Sequence, residues 1–338
     1  MAKVRVLNKE DIKSVFTLAD ALKAVEQAYS EKNSGEGEIW PMVFHEFEPG
    51  KADLDIKSGN MNGKGIFGFK LVSWHLENSA KNLPTLHGTT MVFDIATGTP
   101  KALLNAGPIT DYRTGAAGAV GIKYLANKNA HNLLMVGCGA LAPYLIAASL
   151  LVKPDIKQVL ITNPHNPQSA VQRLESITDK VKALLGESGA ELNAEIFAEE
   201  DTEKAVKMSN IIITATPSRQ PMIKAEWVQK GTHISCVGAD LKGKQEIDEN
   251  IFAAAKVFAD DTAQSFDVGE CEVPYNKGII TEHCGEIGEV INGTKTGRTS
   301  EDDITVFDST GIALQDLASS AQILEIAEKN NIGTVVEL

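Results

Sequence analysis

The chain has 338 residues, with 32 basic and 45 acidic side chains that give a formal net charge of −13. This length predicts about two domains. A composition of 43% hydrophobic and 23% charged residues is typical of globular proteins and excludes wholesale disorder. The acidic balance argues against nucleic acid or an anionic membrane as a main partner, because both repel a negative surface. Fifteen of the acids and only four bases fall in residues 245–308, which we interpret as a solvated acidic flank.

The sequence contains no signal for a membrane or for secretion. No stretch approaches about 20 uninterrupted apolar residues, so we expect no membrane span. The segment MAKVRVLNKEDIK lacks an apolar signal-peptide core, which favours the cytoplasm. The four cysteines are scattered without a C-x-x-C pair, which indicates reduced thiols. The seven histidines show no metal-binding spacing, so we also expect no metal.

The first third of the chain predicts one helix followed by a sheet. Residues 17–29 place apolar side chains on one helical face, and Thr17 with Asp20 forms a capping pattern. Residues 52–106 contain short strand-like runs, with a hairpin loop at DIATGT. We therefore predict a mainly antiparallel sheet here.

The remainder predicts a different architecture. After a small-residue helix, TGAAGAVGIKYLA, apolar strands alternate with helices, notably helices at 141–153 and 168–186. The expected strands are 132–137, 158–163, 194–198, 210–216, 232–238 and 256–261. Such alternation predicts a parallel sheet covered on both faces, which is a doubly wound α/β fold. The last helix, ALQDLASSAQILEIAEKN, is expected to pack back on the N-terminal domain. We place the domains at 1–113 with 312–338, and at 114–311.

A glycine-rich turn follows the first of these strands. The segment NLLMVGCGALA gives Gly137-x-Gly139-x-x-Ala142, with Gly137 for the tight turn and Gly139 for close approach of the pyrophosphate. The helix N-terminus would supply N–H donors to the phosphates, and Ala140 and Leu141 lie in the same turn. Because the motif opens a series of βα units, it predicts a nicotinamide-dinucleotide site of Rossmann type. A purely structural turn is the alternative.

The end of the second strand bears on the choice between NAD and NADP. An Asp or Glu for the ribose hydroxyl of NAD is usual here, but the segment ITNPHNPQS places Asn163 at this position. Asn163 does not repel a 2′-phosphate, and His165 could hydrogen-bond to one, although no arginine follows at once. We therefore lean towards NADP and leave NAD open. Thr216 and Val237, which follow later strands, are further candidates for cofactor contact.

Three charged residues outside that turn suggest chemistry. Lys70 lies in the apolar run GIFGFKLVSW, where a lysine removed from water could exchange protons near neutrality. Alternatively, Lys70 lies on a solvated face of the strand and has no chemical role. Arg113, at the predicted domain boundary, could bind a substrate carboxylate or form an interdomain salt bridge. Asp240, after the strand THISCVG, could move a proton at an amine or could cap a helix.

These segments together resemble the ornithine cyclodeaminase/mu-crystallin family. The resemblance rests on GFK at Lys70, DYRTGAA at Arg113, GCGALA, VGAD-x-x-GKQEID at Asp240, GEIGEVINGTKTGR and VFDSTGIALQD, in matching order and spacing. It implies a homodimer whose N-terminal domain, completed by the C-terminal helix, binds substrate and dimerises. It also implies NAD(P)-dependent oxidoreductase chemistry at the C–N bond of a small α-amino or α-imino acid. Cyclodeamination and non-catalytic small-molecule binding are the alternatives within the family.

The resemblance also implies roles for individual residues. Lys70 and Arg113 would contact the substrate carboxylate or amine, and Asp240 would be the acid/base. Thr310 and Gly311 would line the nicotinamide–substrate cleft, and Thr114 would help to hold the pyrophosphate. A second arginine common in the family is absent from WPMVFHEFEPG. Either another cation replaces it, with Lys57 and His45 as the candidates, or two cations do not clamp the substrate carboxylate.

Overall fold

The computed structural model describes residues 2–338. The strands in chain order are β1 (Lys3–Leu7), β2 (Gly37–Ile39), β3 (Val43–Glu48), β4 (Ala52–Met61), β5 (Ile66–His75), β6 (Leu86–Asp94), β7 (Pro100–Asn105), β8 (Asn132–Val136), β9 (Gln158–Thr162), β10 (Glu195–Ala198), β11 (Ile211–Thr214), β12 (Arg219–Ile223), β13 (His233–Cys236), β14 (Gln245–Ile247), β15 (Ala255–Ala259), β16 (Gly285–Glu286), β17 (Ile304–Asp308) and β18 (Thr334–Glu337). The α-helices are α1 (Lys9–Val15), α2 (Leu18–Ser34), α3 (Ala106–Leu125), α4 (Ala142–Val152), α5 (Pro167–Glu187), α6 (Thr202–Lys207), α7 (Thr262–Val268), α8 (Glu272–Asn276), α9 (Ile287–Ile291) and α10 (Ala313–Asn330). Within residues 2–338, no helix is both long enough and apolar enough to cross a membrane.

Two compact units divide the chain. The first unit holds the residues up to Arg113 together with Ile312–Leu338, and the second unit holds Thr114–Gly311. In the first unit the sheet order is β18-β1-β7-β6-β5-β4-β2, with β3 paired to β4. Every pairing is antiparallel except β1 with β7. The prediction of a mainly antiparallel sheet is therefore confirmed.

Helices cover one face of the first unit's sheet. Thr17 and Asp20 form the capping box of α2, as predicted. The helix ends at Ser34, five residues beyond the predicted end, and Gly35 caps it in the left-handed conformation. Helix α10 packs against α2 and against β4, β5 and β6. Helix α10 lies close to β5, because a Cβ at Gly68 would be 3.0 Å from Leu317 of the helix. The same Cβ would be 2.2 Å from the Met91 carbonyl oxygen of β6.

The opposite face of this sheet carries a patch of apolar side chains that are only partly buried. Successive side chains along a strand point to opposite faces of the sheet. The residues that lie between the buried positions of β5, β6 and β7 therefore share this face. They are Phe67, Phe69, Leu71, Met91, Phe93 and Leu103. The rings of Phe67 and Phe93 are stacked, with their centroids 5.0 Å apart. We call this surface the aromatic face.

The second unit contains the predicted parallel sheet. Its strand order is β10-β9-β8-β11-β13-β17-β15-β16, and all of its pairings are parallel. This arrangement confirms the Rossmann-type doubly wound fold. Strand β17 was not predicted, because its residues ITVFD follow the acidic run 301–303 and include only three apolar side chains.

The small residues of α3 allow close packing in the second unit. A Cβ at Gly121 would lie 2.6 Å from the Phe307 ring, and one at Gly118 would lie 2.7 Å from Leu145. A larger residue at either position would therefore force the helix away from its neighbours.

The interpretation of residues 245–308 as a solvated acidic flank is wrong for four of the acids. Glu246, Asp260, Glu270 and Asp308 are each at most 1% exposed. Burial raises the pKa of Asp308 to about 7, with Asp260 contributing, although the Ser265 hydrogen bond opposes the shift. These buried carboxyl groups stand near the carboxyl ends of the parallel strands, where ligands bind in open α/β sheets.

Candidate functional site

The glycine-rich turn of the second unit leaves space for a phosphate group. Gly137 has φ +109°, and a Cβ there would lie 2.7 Å from the Ala215 carbonyl oxygen. A Cβ at Gly139 would meet nothing within 4 Å. Helix α4 begins three residues later, and its N-cap residue Leu141 makes no side-chain cap hydrogen bond. Open space beside Gly139 at a helix N-terminus fits a dinucleotide pyrophosphate.

A cavity of about 420 Å³ lies beside this turn. It is lined by Gly137, Cys138, Gly139, Asn163, His165, Asn166, Ser169, Arg173, Ala215, Thr216 and Pro217. Five predicted cofactor residues, Gly137, Gly139, Asn163, His165 and Thr216, are therefore brought together. Ala140 lines an adjacent cavity of about 320 Å³. Leu141, Val237 and Thr114 line neither cavity, so their contact with a cofactor stays a prediction.

One basic residue of the cavity was missed from the sequence. Arg173 lies on α5 and its Nη1 donates to the Cys138 carbonyl oxygen at 3.2 Å. On the same helix, Ser169 accepts a hydrogen bond from Asn163 Nδ2 at 2.7 Å. Their i,i+4 spacing within the predicted helix 168–186 places both on one face, and this spacing could have identified Arg173. Among residues 2–338, no carboxylate side chain lines this cavity.

Asp240 is exposed and is paired with a lysine of its own segment. Lys244 Nζ lies 2.5 Å from Asp240 Oδ1 and 3.3 Å from the Gly238 carbonyl oxygen. Asp240 is not the N-cap of any helix described over residues 2–338, so the capping alternative is not supported. An accessible carboxylate can accept a proton from an amine.

Thr310 and Gly311 are held by a buried carboxylate. Thr310 Oγ1 donates to Asp260 Oδ1 at 2.8 Å, and the Gly311 N–H donates to Asp260 Oδ2 at 2.8 Å. Gln264 Nε2 also donates to Thr310 Oγ1 at 2.9 Å. The Thr310 hydroxyl is thus engaged within the protein, and its contact with a nicotinamide stays a prediction.

The first unit contains a buried cluster of charges. Lys70 on β5 is 3% exposed, so the solvated-face alternative is wrong. Its Nζ lies 2.9 Å from Asp316 Oδ2, while Arg113 Nε lies 3.3 Å from Asp316 Oδ1. Arg113 Nη1 also donates to Gln315 Oε1 at 3.2 Å, and Gln315 Nε2 donates to the Tyr29 hydroxyl. Lys70 and Arg113 therefore share the carboxylate of Asp316, and these three buried side chains together carry one net positive charge when Lys70 is protonated.

This cluster shifts the pKa values of its members. Burial, together with the neighbouring Arg113, lowers the pKa of Lys70 to about 8, although Asp316 opposes the shift. Burial alone would raise the pKa of Asp316, but the charges of Lys70 and Arg113 hold it below its usual value. Lys70 can therefore change its charge near neutrality, whereas Asp316 stays ionised.

The sheet register decides which other candidates face this cluster. Lys57 is directly opposite Lys70 on β4, and Thr90 is directly opposite it on β6, so all three share a face. The Thr90 hydroxyl is buried and has no hydrogen-bond partner within residues 2–338. His45 pairs with Leu54, which lies three residues before Lys57 on β4. Because side chains alternate between the two faces along a strand, Leu54 and His45 lie on the face opposite to Lys57. The register therefore favours Lys57 over His45 as the replacement cation, and the role of either residue stays a prediction.

Comparisons with known proteins agree with this fold. The family model described as "Ornithine cyclodeaminase/mu-crystallin family" matches residues 2–331. The chain belongs to this family. The resemblance seen in the sequence is therefore confirmed.

Solved structures of other family members match nearly the whole chain. An archaeal alanine dehydrogenase dimer with bound NAD is 36% identical, with a TM-score of 0.87 and 99% coverage of both chains. Iminosuccinate reductase of Paracoccus denitrificans in complex with NAD⁺ is 30% identical, with a TM-score of 0.90, covering 99% of this chain and 100% of that one. Δ¹-Pyrroline-2-carboxylate reductase of Thermococcus litoralis, in complex with NADH and L-proline, is 28% identical, with a TM-score of 0.88, covering 98% and 100%.

Proposed function

We propose that this family member is an NAD(P)-dependent oxidoreductase that acts on the C–N bond of a small α-amino or α-imino acid. The observation that carries the proposal is the buried cluster in which Lys70 and Arg113 share the single carboxylate of Asp316. A ligand carboxylate would balance the remaining positive charge, and arginine suits this role through its planar fork. The similar dehydrogenase and reductases support the same reaction class and do not favour the cyclodeaminase or binding-protein alternatives.

The chain's own residues account for binding and proton transfer. Lys70 and Arg113 would anchor the substrate carboxylate, and the turn at Gly137–Gly139 with the N-terminus of α4 would hold the cofactor pyrophosphate. A bound nicotinamide would supply the hydride acceptor or donor for the α-carbon of the substrate. In the oxidative direction Asp240 accepts a proton from the substrate ammonium, since only a neutral amine has a lone pair that can assist the loss of hydride.

A substrate screen tests this function. Nicotinamide absorbance is followed with NAD and NADP in both directions, against amino acids and against keto acids with ammonia or methylamine. We expect turnover that depends on an α-carboxylate, and no turnover with the matching amines that lack it. Ring formation without net cofactor turnover would instead identify a cyclodeaminase.

We propose that the cofactor site accepts NADP(H) as well as NAD(H). In support, Asn163 replaces the usual acid, and Arg173 and His165 line the same carboxylate-free cavity. A 2′-phosphate there would face positive and neutral groups only, and an arginine is the usual partner of that phosphate.

Replacing Asn163 with aspartate tests the NADP(H) proposal. We expect Asn163→Asp to lower kcat/KM with NADP by about 100-fold, through like-charge repulsion of about 3 kcal/mol, and to leave kcat/KM with NAD nearly unchanged. Gln172→Glu adds the same charge on α5 at an exposed position outside the cavity, and it should change neither value. Equal losses with both cofactors would contradict the proposal.

The pKa of Lys70 predicts how substrate binding depends on pH. We expect KM for the carboxylate substrate to rise as pH passes about 8, because the neutral amine no longer attracts an anion. Since the folded pKa lies below the usual 10.5, the unfolded chain binds more protons between pH 8 and 10.5. The contribution of Lys70 to the free energy of unfolding therefore increases with pH in that window. Deprotonation of Lys70 would not unfold the protein, so unfolding would not explain a rise in KM. A KM that stays flat from pH 7 to 9.5, or a parallel rise in the Kd for NADH, would contradict the assignment.

We propose that the first unit is the substrate-binding and dimerisation domain and that the second is the dinucleotide-binding domain. The partly exposed aromatic face, with Leu103 37% exposed at its edge, supports an interface between two copies of the first unit. The similar alanine dehydrogenase is a dimer. Light scattering should give twice the chain mass of 36.2 kDa, and a monomer at micromolar concentration would contradict the dimer.

We propose a reducing compartment, the cytoplasm, as the location of the protein. Cys138, Cys236 and Cys271 are buried free thiols, and Cys284 is an exposed one. Free thiols persist where glutathione keeps them reduced.

A further inference from the structure

A buried carboxylate joins two loops at the carboxyl ends of the parallel strands. Glu246 on β14 is fully buried, and each of its oxygens accepts one backbone N–H and one hydroxyl. Oε1 accepts the Thr216 N–H at 2.7 Å and the Thr216 hydroxyl at 2.9 Å. Oε2 accepts the Gly238 N–H at 2.9 Å and the Thr214 hydroxyl at 2.6 Å.

The two loops are the ones that carry the proposed cofactor and proton-transfer residues. Thr216 lines the dinucleotide cavity, and its Cγ2 would be 3.0 Å from a Cβ placed on Gly137. Gly238 comes two residues before Asp240. The loops also touch each other, because a Cβ at Gly238 would lie 2.4 Å from the Thr216 carbonyl oxygen and 2.6 Å from the Glu246 carboxyl carbon.

The hydrogen bonds to Glu246 require both of its side-chain oxygens to be acceptors. Backbone N–H groups can only donate, and one of them points at each oxygen of Glu246. A glutamine side chain has one acceptor and one NH₂ group, so in either orientation it would face one of the two N–H donors with another donor. Neighbouring Glu270 fixes the backbone of this segment by accepting the N–H groups of Glu246 and Ile247, each at 2.8 Å.

We propose that Glu246 is a positioning residue that sets, through one carboxylate, both the Thr216 wall of the cofactor cavity and the loop that presents Asp240. The inference rests on the proposed function for its catalytic consequence, but the coupling of the two loops is a property of the protein alone. Glu246 touches neither substrate nor cofactor in this role. It acts through Thr216 and Gly238.

The test uses Glu246→Gln in the full chain. Hydrogen exchange of the protein without cofactor should become about 10- to 100-fold faster at the Thr216 or Gly238 amide, the range expected when a buried donor loses its acceptor. NADH fluorescence should give a Kd raised by about the same factor, because the loop that lines the cavity is released. At saturating cofactor kcat should fall while KM for the amino acid stays unchanged, because the Lys70–Arg113–Asp316 cluster is intact.

Glu249→Gln provides the matched control. Glu249 lies three residues further along the same segment, where it accepts hydrogen bonds from Gln245 and Lys277 and lines neither cavity. This variant should leave loop exchange and Kd unchanged. If Glu246→Gln does not fold, Thr214→Val should still speed exchange at both amides, because it removes one donor that orients the carboxylate.

The outcomes separate this inference from the proposed function. Unchanged exchange at both amides in a folded Glu246→Gln protein would overturn the positioning role. Acceleration spread evenly over the whole parallel sheet would also overturn it, since that result reports only lower global stability. Wild-type protein that fails to bind NADH would instead contradict the proposed function, and the exchange result would still decide the role of Glu246.

Discussion

Asp240→Asn is expected to lower kcat by about 10²- to 10⁴-fold, the range that a general acid or base contributes, while the Kd for NADH stays nearly unchanged. Asparagine keeps the size of the side chain but cannot accept the ammonium proton. Stability should change little, because the Asp240 side chain is 49% exposed and its pair with Lys244 is solvated. Steady-state rates, NADH fluorescence titration and thermal melting measure the three quantities.

Asp267→Asn is the control for this experiment. Asp267 is an exposed carboxylate of the same unit that pairs with Lys242 at 2.9 Å, and its loss should leave turnover unchanged. Turnover by Asp240→Asn that equals wild type would show that another group moves the proton, and the assignment of Asp240 would fail.

Asp316→Asn is expected to destabilise the first unit by about 3–5 kcal/mol, the usual cost of removing one partner from a buried charge pair. Lys70 and Arg113 would be left as buried cations without their carboxylate. The pKa of Lys70 should then fall below 8, because the partner that raises it is gone. Urea unfolding followed by circular dichroism gives the free energy of unfolding.

Two further variants show whether charge is the cause. Glu325→Gln removes an exposed acid from the same helix, α10, and should leave the free energy of unfolding within about 0.5 kcal/mol of wild type. Adding Lys70→Met to Asp316→Asn removes one of the stranded cations and should recover part of the lost stability. Equal destabilisation by Glu325→Gln would indicate damage to the helix rather than to the charge cluster.

The dinucleotide-binding fold could be predicted from sequence because its signals are local. Strand and helix periods alternate at short spacing, and Gly137 and Gly139 follow directly after a buried strand. Each of these patterns falls within about 20 residues, so neither needs knowledge of distant contacts. Strand β17 was missed because its five residues are too few for a period to stand out beside an acidic run.

The charge cluster could be predicted only in part. Lys70 and Arg113 stood out as charges in apolar or small-residue runs. Their counter-ion Asp316 did not, because helical periodicity shows which residues share a face but not which strand that face covers. The face on which His45 lies could not be predicted for a related reason, since a shift of one residue in register moves a strand side chain to the opposite face.

Buried acids were the least visible from the sequence. Glu246, Asp260, Glu270 and Asp308 lie among exposed acids, and composition does not distinguish the two groups. Their partners are backbone N–H groups and hydroxyls of other segments, which only the folded chain brings near. Buried acids of this kind are recognised by the N–H and O–H groups that donate hydrogen bonds to them in the folded protein, and not by their neighbours in the sequence.

The discontinuity of the first unit affects the order in which the protein can form during synthesis. Its sheet strands β1–β7 leave the ribosome early, but α10 and β18 follow only after the whole second unit. Until the chain has passed residue 316, Lys70 and Arg113 lack the carboxylate that permits their burial. The nascent first unit therefore cannot close its core before the dinucleotide-binding fold has been translated, so the cluster proposed to hold substrate is completed last.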